Sequence, residues 1–120
     1  MINWNNMDTL AAYAELQSMK KVNVAAAMSG QNGAERVKTY TTPMGAGMNF
    51  NYGARPVDDA ILTALEAFAK EAQLTEKFAA LYNGEVINTG EKRKVLHHMC
   101  RGQLGEAVQA DGVDKRKFYV

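Results

Sequence analysis

Cysteine, net charge and long apolar runs are all scarce in this sequence. Cys100 is the only cysteine, which excludes an intramolecular disulfide, and no charged-then-apolar leader opens the chain. No apolar run approaches the roughly 20 residues needed to cross a bilayer. Fourteen basic residues against thirteen acidic ones leave a net charge of +1, too little to steer nucleic acid or an anionic membrane surface. We therefore expect a cytoplasmic chain without a nucleic-acid or membrane partner.

The bulk composition is typical of a globular chain with one modest core. Of the 120 residues, 47% are hydrophobic and 22% are charged, which argues against disorder along the whole length. Apolar residues recur mostly at helical spacing, and the sequence contains no internal repeat. These patterns predict a fold that is mainly α with a few short strands.

The first fifty residues predict short helices followed by a strand. Asp8 is a good N-cap for a helix of about three turns that runs to Met19, and Asn23 can cap one or two turns after it. Residues 29–33, Ser-Gly-Gln-Asn-Gly, should interrupt any longer helix. Residues 35–42 are compatible with a helical turn or a strand. Residues 48–52 alternate apolar and polar side chains, which is typical of a half-buried strand.

The clearest helical signal begins at Arg55-Pro56-Val57-Asp58-Asp59, where a proline and two acids suit the first turn of a helix. A stripe at helical spacing follows: Ile61, Leu65, Phe68 and Ala72, widened by Leu62 and Ala69. Thr75 is the predicted N-cap of a second helix, whose apolar side carries Phe78, Leu81 and Tyr82. We expect this pair of helices to supply much of the core.

Residues 83–101, NGEVINTGEKRKVLHHMCR, combine a turn, an extended piece and a predicted helix. Asn83-Gly84 is a strong turn dipeptide, because both residue types tolerate positive φ. Thr89 is the predicted cap of a helix over Lys92 to Arg101. Val95, Leu96 and Met99 would form the apolar face of that helix.

The same stretch carries a family resemblance. The run Gly84-Glu85-x-Ile87-Asn88-x-x-Glu91-x-Arg93-x-Val95-Leu96-His97-x-x-x-Arg101 resembles the N-terminal signature of glucose-6-phosphate isomerases, G-E-K-I-N-x-T-E-x-R-A-V-L-H-x-A-L-R. Gly90 and Lys94 depart from it, where the family has Thr and Ala. The resemblance covers about residues 52–101, and the first fifty only by the order of elements. We interpret Glu91, Arg93, His97 and Arg101 as structural or interdomain residues, with Arg93 joining the segment to a large domain that follows.

The resemblance implies an N-terminal helical segment of a larger α/β enzyme with αβα sugar-isomerase domains. Such an enzyme interconverts glucose 6-phosphate and fructose 6-phosphate in glycolysis and gluconeogenesis, by ring opening and proton transfer through a cis-enediol. In that family a glutamate moves the proton, histidine and lysine assist ring opening, an arginine stabilises the intermediate, and a Ser/Thr-rich loop holds phosphate. No cofactor or metal is required, and homodimers are usual. No position of this chain matches those catalytic motifs, so residues 1–120 alone are predicted to be inactive.

Other candidate chemistry in the sequence is less specific. Gly45-Ala46-Gly47 lacks the residues that complete a phosphate-binding loop, which favours a flexible connector. His97 and Cys100 could share a metal ion or act as a base and a nucleophile, but on a helix His98 would point about 100° away from His97. The sequence has no second Cys, so an Asp or Glu would have to complete a metal site. The basic residues could form an anion-binding patch, although a solvated surface fits the near-zero net charge better. They are Arg93, Lys94, Arg101, Lys115, Arg116 and Lys117.

The last twenty residues predict a loop, a strand and the start of a helix. Residues 102–105 should form the loop, Ala107 to Ala110 the strand, and Asp111-Gly112 a turn. Asp114 is a good N-cap, yet the sequence given stops six residues later, so we expect a longer protein. The alternative is a free-standing helical module that binds protein or nucleic acid through the Val95-Leu96-Met99 face or the basic tail.

Overall fold

The computed structural model describes residues 1–101 and 105–118, and about half of these residues are helical. They belong to two compact units, residues 11–68 and residues 1–10 with 69–120. The prediction of a mainly α chain with a few short strands is confirmed. None of the described helices is both long and apolar enough to cross a membrane. The helices are α1 (Ala11–Ser18), α2 (Val24–Ala27), α3 (Gly30–Thr39), α4 (Asp59–Glu71), α5 (Leu74–Tyr82) and α6 (Lys115–Phe118).

The strands form three separate antiparallel pairs within the described residues. In the first, Thr42 lies opposite Phe50, and a 3₁₀ turn over Gly45–Gly47 connects the two strands. Gly45-Ala46-Gly47 is therefore a hairpin loop, in agreement with its interpretation as a connector. The pairs are β1 (Thr41–Pro43) with β2 (Asn49–Asn51), β3 (Val86–Asn88) with β4 (Arg93–Lys94), and β5 (Gln109–Ala110) with β6 (Val113–Asp114).

The predicted first helix is shorter than expected. A 3₁₀ turn covers Met7–Thr9, and Leu10 has an extended backbone, so that α1 begins only at residue 11. The cap of α2 is as predicted, because the side-chain oxygen of Asn23 accepts a 3.1 Å hydrogen bond from the N–H of Ala26.

The expected interruption at residues 29–33 is wrong beyond Ser29, because α3 begins at Gly30 and includes both glycines. Gly33 is buried, and a Cβ atom at this position would overlap with the carbonyl of Met28. The glycine therefore allows the start of α3 to pack closely on the preceding turn, and this packing outweighs its low helix propensity. Residues 35–42, left open by the sequence, divide into the end of α3 and the strand β1.

Arg36 on α3 fixes the irregular segment that follows β2. Its Nε donates to the carbonyl of Gly53 at 2.6 Å, and its Nη2 donates to the carbonyls of Arg55, at 3.0 Å, and Val57. The guanidinium also lies over the ring of Tyr40, 4.4 Å from the ring centroid. One side chain thus satisfies three carbonyls in a segment without regular structure.

The long helix and its successor begin one to three residues from the expected positions. Asp58 caps α4, since its Oδ1 accepts from the N–H of Ile61 at 2.9 Å, and Pro56 precedes the helix instead of occupying its first turn. Thr75 is not the cap of α5, because α5 starts at Leu74. Gln73 precedes it with a left-handed backbone, φ 52°, which turns the chain between the two helices.

The core of the described chain is small. Met99 is the only large side chain that is fully buried among the described residues. The apolar stripes of α4 and α5 contribute less to the core than predicted. Leu65 and Phe78 are exposed, and the buried positions of these two helices are alanines. The 47% hydrophobic content therefore leaves much apolar surface in contact with solvent. The buried hydrophobic residues are Ala12 and Ala64 in one unit, and Ala72, Ala80, Met99 and Val108 in the other.

Candidate functional site

The segment with the signature-like spacing forms a hairpin and a 3₁₀ turn. Strand β3 pairs with β4 through Val86 opposite Lys94, with a register shift after it, and a 3₁₀ turn covers His97–Arg101. The prediction of an α-helix from Lys92 to Arg101 is wrong, and Thr89 caps no helix. Lys92 has a left-handed backbone, φ 52°, which turns the chain back into β4. The apolar spacing of residues 95–99 suits a helix, but Arg93 and Lys94 just before them pair with β3, and only a 3₁₀ turn follows at His97–Arg101.

The loop of this hairpin is held by its own polar side chains. The Oδ1 of Asn88 accepts a 3.1 Å hydrogen bond from the N–H of Glu91. The Oε2 of Glu91 lies 3.7 Å from the Nε of Arg93, and both side chains are exposed. An exposed ion pair of this kind contributes at most about 1 kcal/mol to stability. Glu91 and Arg93 therefore remain accessible on the surface of their unit.

The Asn83-Gly84 turn is confirmed, and Gly84 has a specific packing role. Its backbone is left-handed, φ 71°, and the residue is buried against Val108. A Cβ atom at position 84 would overlap with both methyl groups of Val108. The carbonyl of Gly84 accepts a 2.7 Å hydrogen bond from the Nζ of Lys94. Gly84 therefore joins the end of α5 to both neighbouring hairpins.

Three side chains from distant parts of the chain meet at the C-terminal end of α5. The ring of Tyr82 stacks on His98 with a centroid separation of 5.1 Å, and the guanidinium of Arg116 lies 5.1 Å from the centroid of the same Tyr82 ring. The carbonyl of Tyr82 accepts from the Nη2 of Arg116 at 2.8 Å and lies 3.0 Å from the Nε2 of His98. Since a carbonyl only accepts hydrogen bonds, the Nε2 of His98 carries a proton, which makes it a second donor to this carbonyl.

Arg116 is the most buried charged residue described, with 3% of its surface exposed. Its Nε donates to the carbonyl of Glu106 at 2.6 Å. Asp114 caps α6 as predicted, because its Oδ1 accepts from the N–H of Arg116 at 3.1 Å. Sequence reasoning assigned Arg116 to a basic surface patch and missed this role. Its carbonyl partners lie 10 and 34 residues away in sequence, and no local pattern records such contacts.

His97 and Cys100, the pair considered for metal or thiol chemistry, are both exposed and line one cavity of about 270 Å³ together with Lys94 and Leu96. The thiol is free. Within residues 1–101 and 105–118, no three His, Cys, Asp or Glu side chains lie close enough together to hold a metal ion. Lys94 is already engaged by the carbonyl of Gly84. The cavity therefore brings the predicted pair together without a third ligand from the described chain.

The surfaces that would serve a free-standing binding module are not presented. Met99 is fully buried, so the Val95-Leu96-Met99 face is not available to a partner. Arg116 is buried as well, and the Nζ of Lys115 pairs with Asp111 at 3.3 Å. Four of the six basic residues, Arg93, Lys94, Lys115 and Arg116, thus have separate contacts of their own, which argues against one anion-binding patch.

The turn at Asp111-Gly112 agrees with its prediction, whereas the strand predicted over Ala107 to Ala110 covers only Gln109–Ala110 and pairs with a second strand that was not predicted. Strands β5 and β6 are joined by Asp111 and Gly112, whose φ values of 54° and 72° suit a two-residue hairpin turn. The loop predicted over residues 102–105 falls outside the described residues at positions 102–104, as do the last two residues of the predicted helix. Arg101 is exposed at the end of the 3₁₀ turn.

Comparisons with known proteins give one consistent result. The family profile described as phosphoglucose isomerase matches residues 51–117. A glucose-6-phosphate isomerase of Treponema denticola is 41% identical over 99% of this chain and 24% of its own length. The enzyme of the same name from Treponema pallidum is 49% identical over 83% of this chain and 19% of its own length. The glucose-6-phosphate isomerase of Borrelia garinii is 34% identical over 99% of this chain and 22% of its own length. The chain therefore spans about a fifth to a quarter of these curated relatives.

Proposed function

This chain belongs to the phosphoglucose isomerase family, and we propose that it forms the N-terminal segment of an enzyme that interconverts glucose 6-phosphate and fructose 6-phosphate. The observation that carries the proposal is the combination of a match along 99% of this chain with coverage of only 24% of the relative. The remaining part of such an enzyme would supply the αβα sugar-isomerase domains, the sugar-phosphate site and the catalytic groups. The complete enzyme would be a cytoplasmic homodimer that needs no cofactor.

The distribution of apolar surface supports a segment that packs against more protein. Only one large side chain is fully buried among the described residues, whereas Phe50, Leu74 and Phe78 are exposed. Burial of apolar surface is the dominant favourable term in folding, at about 25 cal/mol per Å². A chain with these exposed side chains gains stability from a further surface that covers them.

The complete product of the native gene tests this function. We expect it to convert fructose 6-phosphate to glucose 6-phosphate in an assay coupled to oxidation of the product, without added metal or cofactor in the isomerase step. Residues 1–120 purified alone should give no conversion. The proposal would be contradicted if the 120-residue chain alone interconverted the two sugar phosphates, or if the complete gene product showed no isomerase activity.

The exposed residues of the signature are assigned a structural role between domains. Glu91, Arg93, His97 and Arg101 are all exposed, while Met99 between them is buried. This arrangement turns the polar side chains outward, where they could contact the domains that follow. The fork of Arg93 suits a carboxylate or the exposed carbonyls at a helix end.

Replacing Arg93 by Ala in the complete enzyme should lower its thermal midpoint by a few degrees and leave the Michaelis constant nearly unchanged, because the contact it loses is structural. Lys38→Ala is the matched control, since Lys38 is an equally exposed cation whose 3.0 Å pair with Glu35 is local. Differential scanning calorimetry and steady-state kinetics measure the two quantities. A large rise in the Michaelis constant with intact stability would overturn the structural assignment.

A further inference from the structure

A preformed apolar groove lies in the unit of residues 11–68, which does not include the signature segment. Its volume is about 340 Å³, and its exposed wall is entirely apolar. Two of the lining side chains carry a solvation cost, because Phe50 is 47% exposed and Leu65 is 39% exposed. The lining residues are Thr42, Phe50, Tyr52, Arg55, Val57, Leu62 and Leu65.

The groove is built on a fixed framework. The ring of Phe50 stacks on that of Tyr52 with a centroid separation of 6.0 Å, and the centroids of the Tyr52 and Tyr40 rings are 5.5 Å apart. Arg36 also fixes the carbonyls of Arg55 and Val57, two further lining residues. Stacked rings and a bonded loop leave the groove open in the absence of an occupant, which is typical of a preformed binding surface.

The chemistry of the groove selects the class of occupant. A sugar phosphate needs hydrogen-bonding groups that fix its orientation, and this wall offers none. The groove instead suits apolar side chains of a polypeptide. Arg55 also lines the groove, and its guanidinium has no hydrogen bond or ion pair within residues 1–101 and 105–118. A carboxylate on the occupant would complement it.

The source of such a polypeptide follows from the length of the relatives. Roughly three quarters of the Treponema denticola enzyme lies outside its match to this chain, so a large amount of covalently connected protein is available to cover the groove. A tethered segment binds at high effective concentration and needs little affinity of its own. We propose that the Phe50–Leu65 groove docks an apolar segment of the same polypeptide from outside residues 1–120, with a carboxylate beside Arg55. This inference rests on the proposed function.

Thiol labelling of the complete gene product tests the docking. Leu65→Cys and, as a second variant, Phe50→Cys place a thiol in the groove, and Met48→Cys is the control. Met48 is 57% exposed, lies in the same hairpin as Phe50 and does not line the groove. We expect both groove thiols to react with a maleimide at least about tenfold more slowly than the control in the native enzyme, and equally fast in urea. Peptide mapping assigns each label to its position.

Each result has a defined meaning. Labelling of both groove thiols at the control rate would overturn the docking proposal, even in an active enzyme. Protection that rises with protein concentration would assign the groove to a second copy of the chain and would overturn it as well. Protection at all concentrations together with an absence of isomerase activity would retain the docking and reject the proposed function, so the two claims fail separately.

Discussion

Each of the two units uses an arginine in the same way but to a different extent. Arg36 and Arg116 both donate through Nε to a backbone carbonyl at 2.6 Å and both lie over a tyrosine ring. Arg116 is buried in the unit that also contains the fully buried Met99, whereas Arg36 is half-buried and supports a segment that lines an open groove. The comparison shows that the same bonding can complete a closed core in one unit and shape an exposed surface in the other.

The largest expected effect separates these two arginines. Arg116→Ala removes the guanidinium of a residue that is only 3% exposed, together with its hydrogen bonds to the part-buried carbonyls of Tyr82 and Glu106, and should reduce local stability by about 3 kcal/mol. Arg36→Ala should reduce local stability by about half as much. Water can reach the carbonyls that lose this donor, because Arg36 is only half-buried. Hydrogen exchange of the complete protein, followed near residues 82–101 and 51–59 respectively, measures both losses. Lys38→Ala serves as the exposed control, and equal losses for the two arginines would contradict the effect of burial.

A smaller effect tests how tightly the second unit is packed at Gly84. Gly84→Ala should lower the free energy of unfolding by about 2 kcal/mol, because the added methyl group is strained at positive φ and overlaps with Val108. Gly112→Ala is the matched control, because Gly112 has nearly the same φ of 72°, yet an added methyl group there would meet no atom within 4 Å. We expect its cost to be near 1 kcal/mol. Chemical denaturation of both variants gives the difference, and equal costs would show that Val108 moves aside.

The smallest effect concerns a hydrogen bond between Tyr40 and Asp59 in the unit of residues 11–68. The hydroxyl of Tyr40 donates to the Oδ1 of Asp59 at 2.9 Å, and this hydrogen bond raises the pKa of Tyr40 above its usual value of 10.0. Because the folded pKa is raised, the contribution of this bond to stability is fully present below pH 10 and is lost as the pH rises through the folded pKa.

Asp59→Asn should return the pKa of Tyr40 towards its usual value. Ultraviolet titration of tyrosinate, with Tyr40→Phe to identify the signal, measures the change. An unchanged titration curve in Asp59→Asn would show that the charge of the carboxylate does not set the pKa of Tyr40, because the asparagine oxygen can still accept the hydrogen bond.

Local patterns predicted the turns, but only two of the five helix caps, because Asp8, Thr75 and Thr89 do not cap the helices expected of them. Asn83-Gly84, Asp111-Gly112 and the caps at Asn23 and Asp114 depend on backbone geometry and on side chains within three residues, and the structure confirms all four. The family was predictable for a similar reason, since its signature is one continuous segment, and the profile match over residues 51–117 bears it out.

Structure that depends on distant partners could not be predicted. Val95, Leu96 and Met99 have helical apolar spacing, yet Lys94 just before them pairs with Val86 in a hairpin. The contacts of Arg116 with Tyr82 span 34 residues, and those of Arg36 with Val57 span 21. Burial was also overestimated, because periodicity identifies the apolar side of a helix but does not supply the surface that would cover it.

The two Asn-Gly pairs have a consequence for chemical ageing. Asparagine deamidates when the backbone nitrogen of the next residue attacks its side chain, and glycine hinders this attack least. In the second unit, the nitrogen of Gly84 is engaged by the carbonyl of Leu81 at 3.0 Å, and in the first unit Asn32-Gly33 lies within a helix. Deamidation at each pair therefore requires local opening. The rate at which asparagine is lost at positions 32 and 83 would report how often each unit opens locally.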